Sequence, residues 1–260
     1  PADLPAEGLA ATKVTIAERV ARNANPNVEF RGICGDFSVD SIAREFRDCD
    51  FLFLAADTMR ARLVFNALVH QYGIPGIQVG TKISADKDSG GLSSAFTVPR
   101  WVTPDLGCLM CNGLIPADLR AMEAKDEAAR ADQQYGTGQD NPSVITMNAV
   151  AAAHAVNDFL MYFLGLADTD ASIDYHRWDH RSRTYSQDGP RRDPECRECG
   201  NVDFGRLGMG DAASLPTFLS APAAEVEVKE PQIARAQEQP GDTRTAMQGI
   251  CDWLYFWKWN

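Results

Sequence analysis

The chain is 260 residues long, 45% hydrophobic and 23% charged, with a formal net charge of −11. That is enough apolar chain for one large domain or two small ones, and it excludes wholesale disorder. The acidic balance argues against a protein that wraps nucleic acid or rests on an anionic membrane.

A helix is expected over 8–24, with Leu9, Val14, Ile16, Ala17 and Val20 set among charges, and Asn25-Pro26-Asn27 stops it. Alternation over 28–34 gives a weak strand signal, and 40–46 reads as a short helix. Phe51 to Ala56 is a continuous apolar run, as in a strand buried on both faces. Asp57 follows at once, then an amphipathic helix over 58–72 and a second buried strand over 74–79 ended by Gly80. Strand, helix, strand with short links is the pattern of a parallel sheet with a right-handed crossover, the start of a doubly wound nucleotide-binding fold. A further strand is expected at 94–98.

Beyond it, 116–134 reads as a short charged helix that fades into a glycine-containing loop ending at Pro142. The longest helix is expected over 143–164, mostly buried through Ile145, Val150, Val156, Phe159, Leu160 and Phe163, with Gly165 ending it. Its neighbourhood, 147–166, is interrupted by Asn148, His154, Asn157 and Asp158, so it makes a poor membrane span. His154 reads as a satisfied core histidine. Short strands are expected at 172–178 and 181–186. Residues 221–239 read as a linker, and the aromatic run 253–259 needs a partner surface. The N-terminus shows no basic region followed by an apolar run, and hence no secretion signal.

The seven cysteines point to a reducing, cytoplasmic setting with a metal site rather than to a disulfide framework. Four form two pairs of identical spacing, Cys108-Leu109-Met110-Cys111 and Cys196-Arg197-Glu198-Cys199. Two such pairs supply four sulfurs, which close a tetrahedral zinc site and leave no position for substrate; the zinc is structural. Asp57 stands where open α/β sheets bind ligands, and a carboxylate there suits a magnesium ion on nucleotide phosphates. The same residue equally suits the N-cap of the helix that follows, and the two roles are compatible. No glycine-rich phosphate loop of the G-x-G-x-x-G or Walker type occurs anywhere in the chain, which also speaks against a dinucleotide dehydrogenase.

In their order, several pieces resemble the ThiF/MoeB/HesA family, bacterial relatives of ubiquitin-activating enzymes. They are Lys13 within Gly8–Lys13, Asn25-Pro26-Asn27-Val28, Asp48 to Asp57, Arg62 and Asn66, Ile74-Pro75, Pro142-Ser143-Val144 with Asn148, and the two cysteine pairs. The resemblance covers roughly 13–200. It implies an α/β, Rossmann-like, partly parallel sheet with flanking helices, zinc-stapled, over 1–220, followed by an irregular linker and aromatic tail over 221–260. It implies ATP- and Mg²⁺-dependent adenylation of the C-terminal carboxylate of a ubiquitin-like or sulfur-carrier protein ending in Gly-Gly, by a homodimer. Residue by residue, Lys13 would contact the ATP phosphates, Asp57 would bind Mg²⁺ or position the phosphates, and Arg62 and Asn66 would support the site. Cys108, Cys111, Cys196 and Cys199 would hold zinc. The segment between the first cysteine pair and the long helix would be a crossover loop over which the carrier's tail threads, and it contains no cysteine for a thioester. The family's ATP loop and arginine-bearing segment would precede Lys13, so this chain alone is expected to turn over ATP weakly. A peptide-adenylating relative and a zinc-stapled binding module without catalysis are the other readings.

Overall fold

The computed structural model describes residues 12–85, 91–116, 118, 144–168, 174–201, 203 and 205–219. All of these fall within the unit Pro1–Pro222. The expected linker and aromatic tail, the charged helix and loop over 119–143, and the start of the first helix lie outside the described residues.

Helix α1 (Lys13–Ala24) is capped by Thr12, whose Oγ1 accepts from the Thr15 N–H at 3.2 Å. None of its residues is buried, and Ile16 and Val20 face solvent. The strand expected over 28–34 does not form. An isolated extended segment leaves its N–H and C=O groups without a ladder, and no described strand lies beside it to supply one. Helix α2 (Asp40–Ala43) continues as a 3₁₀ turn over Arg44–Phe46.

The sheet runs in the order β1 (Leu52–Leu54), β2 (Gly76–Ala85), β3 (Leu92–Val102), β4 (Tyr175–Asp179), β5 (Thr184–Asp188). β1 and β2 are parallel and the other three pairs antiparallel. With α3 (Met59–Tyr72) on one face and α4 (Ile145–Phe163) on the other, the architecture is α/β and Rossmann-like, with a partly parallel sheet. Leu52 and Leu54 face α3, where Leu63, Val64, Phe65, Ala67 and Leu68 complete the main core. Ile77 and Trp101 face the opposite way and meet Ala155 and Phe159 of α4.

Four expectations of burial or length are corrected. α3 is not half-exposed as an amphipathic helix would be: ten of its residues are buried. The chain after the second cysteine pair wraps its outer side, with Gln71 Nε2 donating to the carbonyls of Gly210 (2.6 Å) and Ala213 (2.5 Å). α4, by contrast, buries only Ala151 and Ala155 among its described residues, while Val156, Leu160 and Phe163 stay exposed. It lies across the sheet as an outer layer with one narrow stripe inward, and His154 is therefore half-buried at its flank rather than in a core. β1 is not covered on both faces either, because Phe53 remains exposed beside Phe159. Finally, Gly80 does not end β2, which runs on to Ala85 paired with β3.

The cap of α3 is Thr58, whose Oγ1 accepts from the Ala61 N–H at 3.2 Å, and Gly73 closes the helix in the left-handed region at φ 76°. Asp57 is exposed and leaves the capping to its neighbour. Thr58→Ala is therefore expected to cost about 1 kcal/mol in urea denaturation. Asp57→Asn is expected to stay within roughly 0.5 kcal/mol of the parent.

Candidate active site and cysteine cluster

A cavity of about 790 Å³ opens at the C-terminal end of β1. That is the position at which open α/β sheets receive ligands, because strand ends and helix starts converge there. Its wall includes Lys13 from α1, Phe53 to Asp57 in part, Arg62 from α3, and Asn148, Ala152 and Val156 from α4. The other wall is the β2–β3 ribbon, with Gln78, Gly80, Lys82, Phe96, Val98 and Arg100. Among the described residues, four cations, Lys13, Arg62, Lys82 and Arg100, thus face one carboxylate, Asp57, in a chain whose overall charge is −11. Such a local inversion of sign attracts a polyanion into the cleft.

Arg100 is half-buried, and burial pulls its pKa down to about 10, with Arg62 and Arg177 adding like-charge repulsion. It stays cationic at neutral pH. Its Nη1 donates to Gln78 Oε1 at 2.8 Å. Arg60, two residues before Arg62 and so on the other side of the helix, does not line the cavity and lies over the Phe218 ring at 4.5 Å.

The four paired cysteines meet in a second place. Cys108 Sγ lies 3.7 Å from Cys196 Sγ, Cys111 Sγ lies 3.5 Å from Cys199 Sγ, and all four sulfurs fall within 4.8 Å of one another. Sulfurs held about 2.3 Å from a single tetrahedral ion stand about 3.8 Å apart, so the donor set fits zinc. The turns are pre-shaped for it: the Cys111 N–H points at Cys108 Sγ and the Glu198 N–H at Cys196 Sγ, both at 3.4 Å. The sulfur of Cys199 and burial together push the Cys108 thiol up, so ionised sulfurs there need a cation to balance them.

Asn66 connects this cluster to the cavity-bearing helix. It is fully buried; its Oδ1 accepts from the Leu109 N–H at 3.0 Å and its Nδ2 donates to Glu198 Oε2 at 3.4 Å. Glu198, also buried, is paired to Arg206 Nε at 3.0 Å. One residue of α3 therefore grips a backbone group in the first cysteine turn and a side chain in the second.

The sequence profile of the ThiF family matches residues 6–198. The chain belongs to the ThiF family. The sulfur carrier protein ThiS adenylyltransferase of Bacillus subtilis (strain 168) is 34% identical over 98 residues, which are 38% of this chain and 27% of that protein. Among solved structures, E. coli MccB with MccA-N7isoASN aligns at a TM-score of 0.53, with 16% identity over 74% of this chain and 53% of that one. E. coli MccB with ATP aligns at 0.51, with 14% identity over 74% and 51%. The ThiF-family chain described here thus spans about half the length of the solved relatives, and at such identity the likeness is one of fold.

Within this ThiF-family fold, Lys13, Asp57 and Arg62 line one cavity. Asn66 does not join them; it lies beneath the cysteine turns, four residues and one helical turn from Arg62. The residues that sequence reasoning passed over are Gln78, Lys82 and Arg100. Their signal was a lone arginine inside the apolar run 98–102, and a glycine inside a strand, which often marks a close approach.

Purified protein is expected to carry one zinc per chain by elemental analysis. Stripping it, or Cys196→Ser, removes several kcal/mol and lowers Tm by roughly 10 °C or more. Asn66→Ala is expected to cost about 2 kcal/mol in thermal or urea unfolding, because two buried groups lose their partner.

Proposed function

We propose that this chain activates a carboxylate by adenylation, its substrate being the C-terminal carboxylate of a ubiquitin-like or sulfur-carrier protein that ends in Gly-Gly. The observation that carries the reading is the convergence of Lys13, Asp57 and Arg62 on one cation-rich cavity at the end of β1. Membership in the ThiF family and the similarity to a ThiS adenylyltransferase support it.

The chemistry asks for what the cavity offers. A carboxylate oxygen forms a bond to the α-phosphorus of ATP, the bond from that phosphorus to the bridging oxygen breaks, and pyrophosphate leaves. No proton has to move. The obstacle is that two anions must meet, so the protein's task is charge neutralisation and alignment. Lys13 and Arg62 supply positive charge to the phosphates. Asp57, exposed and not occupied with capping α3, is the oxygen ligand suited to Mg²⁺. Magnesium, when bound, neutralises phosphate charge. The four cysteines hold zinc as a staple remote from this step, and we place the protein in the cytoplasm, where reduced thiols persist.

A second reading, adenylation of a peptide, is favoured by the fold likeness to MccB, which has been solved with MccA bound. A homodimer is expected, with a second copy covering the apolar face that α4 leaves exposed through Val156, Leu160 and Phe163.

The deciding experiment incubates stoichiometric protein with ATP, Mg²⁺ and a β-grasp carrier ending in Gly-Gly, and reads the carrier by mass spectrometry. The carrier is expected to gain the mass of one AMP, slowly for this chain alone, and Lys13→Ala or Asp57→Asn should reduce the yield at least about 100-fold. AMP on an added peptide but not on the carrier selects the second reading. A protein that ATP·Mg²⁺ does not protect thermally, even when tested as a longer parent chain, is a binding module instead. For the dimer, light scattering should give twice the chain mass, and Phe163→Glu should give the monomer; a monomeric parent rejects it.

A further inference from the structure

The cations of the cavity are not all at its nucleotide end. β1 pairs with β2 only over Gly76–Gln78, whereas β2 and β3 continue together to Ala85 and Leu92, so a two-stranded ribbon projects past the end of β1. Alternate residues of a strand share a face. Gln78, Gly80 and Lys82 of β2 lie directly opposite Arg100, Val98 and Phe96 of β3, and all six line the cavity.

Arg100 stands out in this set. Its bond to Gln78 Oε1 is to a neutral amide, and Gln78 is itself fixed by donating from Nε2 to the Val79 carbonyl at 2.8 Å. The charged groups that act on the guanidinium are Arg62 and Arg177, both cations, with the phenol of Tyr175; no described carboxylate is among them. Gly80 makes the seat: a Cβ there would lie 2.4 Å from Arg100 Nη1. The guanidinium therefore rests over bare backbone. A half-buried fork of donors without a counter-charge is costly unless an anion arrives to meet it. The neighbouring Val98 offers an apolar contact for an extended acyl chain, and the Phe96 ring beyond it carries Arg177 over one face at 3.8 Å.

We infer that Arg100, seated by Gly80 and aimed by Gln78, binds the terminal carboxylate of the acyl substrate, leaving Lys13, Arg62 and Asp57 to the nucleotide. Arg62 is near enough to Arg100 for each to repel the other, so a carboxylate on one lies beside a phosphate on the other. The assignment rests on the adenylation reading above and adds the residue that selects a free carboxylate.

The test is direct binding to the full 260-residue chain of a synthetic peptide ending in Gly-Gly, prepared as the free acid and as the C-terminal amide, measured by calorimetry. The acid should bind roughly tenfold tighter than the amide, as a charge-assisted bidentate contact implies. Arg100→Gln should abolish that preference by weakening the acid and not the amide, the loss for the acid exceeding any loss for ATP·Mg²⁺. Gly80→Ala keeps the arginine and pushes its flexible end aside, so it should reduce the preference even if Arg100→Gln fails to fold. Three results overturn the inference: a preference that survives both substitutions, a loss that falls on ATP instead, or a parent that binds acid and amide alike. Failure of the adenylation reading looks different, with an acid preference that depends on Arg100 but no AMP on any carboxylate.

Discussion

The side chain of Asn66 is the joint on which the arrangement turns. It belongs to α3, the helix that starts beside Asp57 and carries Arg62, and it bonds to both cysteine turns, one through Leu109 and one through Glu198. The two turns are 88 residues apart in the chain, so an ion shared by their sulfurs would clamp the end of β3 to the segment beyond β5. Through Asn66 the clamp would also hold α3. Because Glu198 and Arg206 form a buried pair at the same place, leaving any one partner unsatisfied is penalised, which makes the geometry all-or-none.

A fixed α3 gives the cavity one rigid wall, and the β2–β3 ribbon gives the other. Like charges gathered within one small cavity repel, so the four cations there persist only because covalent and packing constraints fix them, each on a different element or strand position. The stored repulsion is discharged when an anion binds, and it is therefore available as binding energy for a polyanionic ligand. Thr58 contributes by taking over the capping of α3, which releases the Asp57 carboxylate to the cavity.

Much of this was legible in the chain. The equal spacing of the cysteine pairs already implied a four-sulfur site, and the apolar run followed by Asp57 and a helix placed the acid at a strand end. Other features were not legible. Thr58 and Asp57 are both good capping residues, and only the backbone decides which of them bonds to Ala61. Asn66 stands one helical turn beyond Arg62, so the chain alone gave no reason to separate them, yet Arg62 lines the cavity while Asn66 is directed toward the cysteine turns.

Local signals are set by neighbours along the chain: the helices, the strand–helix–strand order, the cysteine spacing and the acid at a strand terminus follow from periodicity and short-range chemistry. What lies across from a residue is set by elements far away in the chain, and no periodicity encodes it. Thus 28–34 forms no strand because no edge among the described residues meets it, and α4 keeps an apolar face exposed because it touches the sheet along one stripe. Gly80 passes through a strand instead of ending it because Val98, eighteen residues further on, pairs with it in the next strand, and Arg100 beside that pair occupies the space that a side chain would fill.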